Sequence, residues 1–152
     1  MMSEDERQIR NLIDRWVEAV HSGVMAGVLA DHSDDIVMFD VPPPYEGARG
    51  IDAYRETWPP FFEWQSQGAR FEMVSLDVTA GEDVAFAHAL LRCGMEAELA
   101  GNPENRLRLN SGVAEGRWSL ARRSRAPLVP GHHGLTYRVC GGRRPLISDV
   151  FE

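Results

Sequence analysis

Residues 15–40 read RWVEAVHSGVMAGVLADHSDDIVMFD, and the change of apolar period inside this stretch decides the architecture. Trp16, Val17 and Val20 continue backwards through Ile9, Leu12 and Ile13 at helical spacing, an apolar stripe that has to face a core. Ser3 with Glu6 three residues on has the form of a capping box, which places this helix over residues 3–21. Gly23 breaks it, residues 25–30 allow a short second helix, and Ser33-Asp34-Asp35 makes the turn before a strand over 36–40. The run Pro42-Pro43-Pro44 stops that strand, because proline donates nothing to a ladder.

Beyond a turn over 47–50, Ile51, Tyr54, Trp58, Phe61 and Phe62 line a third helix with an aromatic inner face, which Pro59-Pro60 ends or kinks. Alternation of period two then predicts a strand over 71–79, a Gly81-Glu82-Asp83 turn and a strand from 84 to about 98. A polar loop and a strand restarting at Arg106 follow. Helices first and an antiparallel sheet afterwards define an α+β fold. In the long strand Phe86, His88, Leu90 and Arg92 share one face, and Ala85, Ala87, Ala89 and Leu91 the other. The bulky face is expected to turn towards the helices and enclose a conical cavity. The flat alanine face is expected to press against a second sheet in a homodimer.

Composition narrows the functional classes. A chain of 152 residues, 43 % apolar and 26 % charged, is one domain able to bury a core, which excludes whole-chain disorder. No apolar run approaches the ~20 residues of a membrane span, and the charged start MMSEDERQIR lacks the apolar region of a signal peptide, so the expected location is the cytoplasm. Cys93 and Cys140 stand far apart, without metal-ligand spacing, and read as free thiols. The net charge of −7 is unevenly spread: residues 1–109 hold nine Arg against twenty acids, and residues 110–152 hold seven Arg against three. An acidic body repels phosphate, and the Arg-rich tail has no interleaved aromatics, so nucleic acid is not an expected partner. Lysine is absent throughout, as a GC-rich coding sequence produces.

The order of elements, the stretch 15–40 and the segment EGARGIDAYR over 46–55 together resemble the nuclear transport factor 2-like superfamily. The likeness is to its SnoaL-like and ketosteroid-isomerase-like branch, over about residues 5–109. The resemblance implies a cone-shaped, cystatin-like fold with a curved antiparallel sheet wrapped around helices and a pocket for small, mostly apolar molecules. It places Asp40 on the general base that moves a proton next to a carbonyl, a role that needs a carboxylate in apolar surroundings. A loop-capping aspartate is the alternative. It places Trp16 on the tyrosine that donates to the oxyanion, where an indole N–H is a weaker donor in a different position.

His88, expected inward, is the second titratable candidate and would assist Asp40, or else is a structural histidine. Trp16, Phe39, Tyr45, Tyr54, Trp58, Phe62 and Phe86 are candidates for the pocket wall, with plain core as the other reading. Arg106 and Arg108 share one strand face, suited to a carboxylate ligand or simply to solvent. Asp31-His32 and Asp34-Asp35 are read as turn residues and not as metal ligands, and neither metal nor cofactor is expected. The function expected is binding of a small organic molecule, with acid/base chemistry such as proton transfer, hydration or cyclisation. A non-catalytic ligand-binding or oligomerisation module of the same fold is the rival class.

The domain is drawn over 1–121, with an irregular Arg-rich tail over 122–152. Many SnoaL-like chains end in a strand resembling T-V-G-L-R-K, a G-R-W turn and a last strand near E-H-H-S. Here residues 110–128 read NSGVAEGRWSLARRSRAPL instead. Back-translated one base out of frame, Asn110 to Glu115 permits TVGLRK, Trp118-Ser119-Leu120 permits GRW and Arg125-Ala126-Pro127-Leu128 permits EHHS, at the family's own spacing. One extra base after the Leu109 codon therefore accounts for residues 110–152 as a non-native ending. A lineage-specific tail is the alternative.

Overall fold

Ser3 caps α1 (Glu4–Ser22) as its sequence dictates: its Oγ accepts from the Glu6 N–H at 3.1 Å, and the Glu6 carboxylate accepts from the Ser3 N–H at 2.9 Å. The computed structural model describes residues 1–39 and 45–113 with their side chains, and the backbone alone of residue 114 and of 135–139. Gly23 closes α1 in the left-handed conformation, φ 67°, which glycine adopts without a side-chain penalty. α2 (Met25–Leu29) follows, then β1 (Val37–Met38), which pairs antiparallel with β2 (Ala48–Arg49). The segment expected as a turn over 47–50 thus supplies a short strand. Gly47 makes the close approach possible, since a Cβ there would stand 2.3 Å from the Met38 carbonyl oxygen.

The expected third helix is two helices, α3 (Ile51–Glu56) and α4 (Trp58–Gln65). They meet at Thr57, whose Oγ1 donates to the Tyr54 carbonyl at 2.7 Å. Pro59 and Pro60 lie in the first turn of α4, where a missing N–H costs nothing, so they start a helix instead of ending one.

The main sheet is antiparallel, in the order β3 (Ala69–Ala80), β4 (Val84–Met95), β5 (Leu107–Ala114), β6 (Leu135–Val139). A bulge between Met73 and Ser75 resets the alternation of β3. Phe71 and Met73 before it, and Leu76 and Val78 after it, consequently share the face that β4 presents through Leu91, Ala89 and Ala87. β4 stops at Met95, short of 98, because Glu96–Gly101 forms a helical turn, α5. Its Leu99 is buried and its Leu99 carbonyl accepts from Arg92 at 2.7 Å. β6 falls in the segment drawn as an irregular tail; residues 115–134 and 140–152 lie outside the described residues.

The sheet faces are opposite to expectation. Ala85, Ala87, Ala89 and Leu91 are buried, in one cluster with the α1 stripe and with Leu107, Leu109 and Val113 of β5. Phe86 is half exposed and His88 stands on the solvent side. Size explains the choice: Trp16, Trp58, Phe61 and Phe71 come to the cluster from the helices and β3, and the small methyl groups of β4 pack against them on that side. The alanine face is therefore covered by the chain's own helical layer and is not left open for a second sheet.

Candidate aromatic ligand site

The aromatic residues of α1, α3, α4 and β3 converge in one group. Trp16 meets Trp58 edge-on at 6.0 Å between ring centroids and Phe71 at 5.8 Å; Trp58 meets Tyr54 and Phe61, each at 5.5 Å. Phe62, partly buried, stacks on Trp58 at 5.7 Å. Helical spacing puts Tyr54 and Trp58 on the same side across the α3–α4 break, and the α1 stripe delivers Trp16 to them. Such edge-to-face contacts add to what burial alone contributes.

Polar atoms lie inside this apolar group. Trp16 Nε1–H donates to the Tyr54 hydroxyl at 3.0 Å, and both residues are buried. The indole has one proton to give, so it is spent on Tyr54, and the oxyanion-donor role expected of Trp16 passes away from it. Trp58 Nε1 is enclosed with no hydrogen-bond partner among the described residues, and so is His32 Nε2.

His32 is the residue that sequence reasoning set aside. Asp31 adopts φ 60°, a left-handed turn that aspartate tolerates, and His32 follows with Nδ1 3.0 Å from the Ala30 carbonyl oxygen. Its ring stacks on Tyr54, centroids 4.8 Å apart and planes 27° apart. Burial pushes the imidazole down to about 4, against the smaller opposing pull of the Ala30 hydrogen bond and the Asp31 charge. It is neutral at physiological pH.

The remaining expectations divide. Trp16, Tyr54, Trp58 and Phe62 are brought together. Asp40, one residue beyond Phe39, lies outside the described residues. Phe39 is partly buried over Gly47 with the Arg49 guanidinium 5.8 Å from its ring, so it belongs to the β1–β2 ribbon. Tyr45 is 78 % exposed and is no pocket wall, because the turn at 45–46 carries it outward.

Phe86 and His88 are corrected with the face they share: His88 Nε2 lies 3.6 Å from the Asp77 carboxylate across the outer side of β3 and β4. Arg106 precedes β5 and donates to the Pro103 and Asn105 carbonyls at 2.6 and 2.8 Å, while Arg108 is exposed opposite Leu90. Among the described residues no group of three or more His, Cys, Asp or Glu is placed to hold a metal, and no helix is long and apolar enough to cross a membrane.

With this geometry in view, comparison with known proteins settles the class. Residues 9–123 match the SnoaL-like domain, and the chain belongs to that family. Its fold is the cystatin-like, nuclear transport factor 2-like one. A nuclear transport factor 2-like protein of unknown function from Pseudomonas putida is similar at a TM-score of 0.70 and 26 % identity, over 95 % of this chain and 99 % of that one. A protein from Novosphingobium aromaticivorans with a cystatin-like fold superposes at a TM-score of 0.65 and 15 % identity, over 98 % and 90 % of the two chains. A proposed ketosteroid isomerase from Shewanella frigidimarina does so at 0.63 and 11 %, over 89 % and 98 %. The last two show the fold alone. No curated protein matches the chain.

Proposed function

We propose that the chain binds a small, mostly apolar organic molecule against the Trp16–Tyr54–Trp58 group and moves a proton on it, with Asp40 as the general base. The observation that supports this reading is the aromatic interior with two enclosed, unpartnered polar atoms. Rings supply apolar contact, and a few polar atoms supply orientation, which is how small-molecule sites are built. Asp40 comes two residues after β1 in the chain, and its alignment with the base of ketosteroid isomerases supports its role. The test uses 1-tetralone, a planar ketone with exchangeable protons next to its carbonyl. The protein is expected to speed deuterium uptake at that carbon, followed by proton NMR. Asp40→Asn is expected to abolish the acceleration and leave affinity for the ketone unchanged; loss of neither refutes the role.

One observation favours the rival module. The Trp16 N–H is committed to Tyr54, so the donor that the isomerases direct at the oxyanion is not presented from that position. A site that binds 1-tetralone without exchanging its protons supports the module. For the homodimer, the face available is the outer one, where Val84 and Phe86 are more than half or half exposed, and we propose self-association there.

A further inference from the structure

We propose that His32 is a ligand-binding residue whose Nε2 accepts a hydrogen bond from a neutral hydroxyl on a planar ligand, so that the site selects phenols and enols over their ethers. This inference rests on the reading that the aromatic interior holds a small molecule, and it names the chemistry that the molecule carries.

The atom facing Nδ1 is the Ala30 carbonyl oxygen, which only accepts, so Nδ1 carries the ring proton. In a neutral imidazole the other nitrogen is then a lone pair. That lone pair, Nε2, is enclosed and has no partner among the described residues, while the Tyr54 ring covers the imidazole at 4.8 Å. An enclosed acceptor left unpaired is costly, and native folds keep such groups where something else completes them.

The surroundings then fix the partner. Asp31, the adjacent acid, repels a carboxylate, and Arg15 lies 3.4 Å from it on the exposed side, too far out to compensate an anion within. Desolvation, the cause of the lowered imidazole pKa, also makes ion-pair formation with an acid unfavourable and leaves the ring an acceptor, not a strong base. The partner is thus a neutral donor, a hydroxyl. Trp58 adds the second point of recognition: its enclosed Nε1–H is a donor, and its ring meets the same Tyr54 at 5.5 Å. Beside Tyr54 there is thus one unpaired acceptor and one unpaired donor, complementary in type to a hydroxyl and a carbonyl. A site that hydrogen-bonds a hydroxyl rejects the analogue lacking it, because its own polar atom is then stranded.

The experiment compares 4-hydroxyacetophenone with 4-methoxyacetophenone by isothermal titration calorimetry on the full chain, its His32→Phe variant and its His32→Gln variant. The unsubstituted protein is expected to prefer the hydroxyl compound by about tenfold, the effect of one buried hydrogen bond. His32→Phe is expected to erase the preference, and His32→Gln, which keeps an acceptor, to retain part of it. Persistence of the preference in His32→Phe overturns the proposal. Equal binding of both compounds to the unsubstituted protein overturns it too, while leaving the interior ligand reading intact; binding of neither at millimolar concentration overturns both. Nitrogen-15 NMR of the unsubstituted protein removes dependence on the variants. The His32 Nε2 resonance is expected to move with the hydroxyl compound and not with the ether, and a resonance that stays still refutes the contact.

Discussion

Ser111 offers a quantitative test of the idea that the chain's ending is out of frame. It lies on β5 facing inward, 1 % exposed, with an Oγ that has no hydrogen-bond partner among the described residues. The shifted frame that permits TVGLRK from residue 110 puts valine at this position and leucine at 113, apolar residues at two inward-facing sites. A buried hydroxyl without a partner costs about 1–3 kcal/mol, and the extra methyl-sized group of valine contributes about 0.8 kcal/mol where there is room. Room is supplied by Ala87, the cross-strand neighbour of Ser111, and a β-branched residue suits a strand.

Ser111→Val is therefore expected to raise unfolding stability by about 2 kcal/mol, the lower end of that sum, a gain in Tm of roughly 4–8 °C for a chain of this size. Urea unfolding followed by tryptophan fluorescence measures it, with Ser111→Ala as the control that removes the hydroxyl and adds no bulk. Ser111→Ala is expected to gain about 1 kcal/mol. A loss of stability in both variants would show the hydroxyl to be satisfied and refute the reasoning.

Two further predictions concern His32 and the outer face. Because the fold lowers the His32 pKa from 6.5 to about 4, the unfolded chain binds more protons between those values. Its contribution is whole above pH 6.5 and is lost as pH falls towards 4. Urea stability is expected to fall by up to about 3 kcal/mol over this window from this group, and His32→Phe to fall by correspondingly less; equal declines would contradict the assignment. Phe86→Glu is expected to shift sedimentation equilibrium from dimer towards monomer with little change in the far-UV spectrum, and an unchanged mass would remove the outer face from consideration.

What the sequence made legible was local. Ser3, Glu6 and Gly23 declare the ends of α1 by their own hydrogen bonds and backbone freedom, and the stripe from Ile9 to Val20 is buried as its spacing demands. Alternation in β4 correctly divided Ala85, Ala87 and Ala89 from Phe86 and His88, but alternation has no sign. Which face turns inward depends on how much volume Trp16, Trp58 and Phe71 have already taken, a sum over distant segments. Pro59-Pro60 were ambiguous for a related reason, since proline both stops one helix and starts another. Tyr45 and Arg106 were chosen for residue type, and their placement follows from turns of a few residues. His32 was passed over because Asp31-His32 looked like turn chemistry; it is a turn, and the turn is what folds the ring against Tyr54.

The bond from Trp16 to Tyr54 also gives this interior a direction. A phenol that accepts a hydrogen bond becomes a better donor, so the indole on α1 polarises the hydroxyl on α3. Whatever draws on the Tyr54 proton draws in turn on Trp16. If the proposed ligand draws on the Tyr54 hydroxyl, α1 is expected to tighten onto α3, and slower amide exchange in the N-terminal helix would register it.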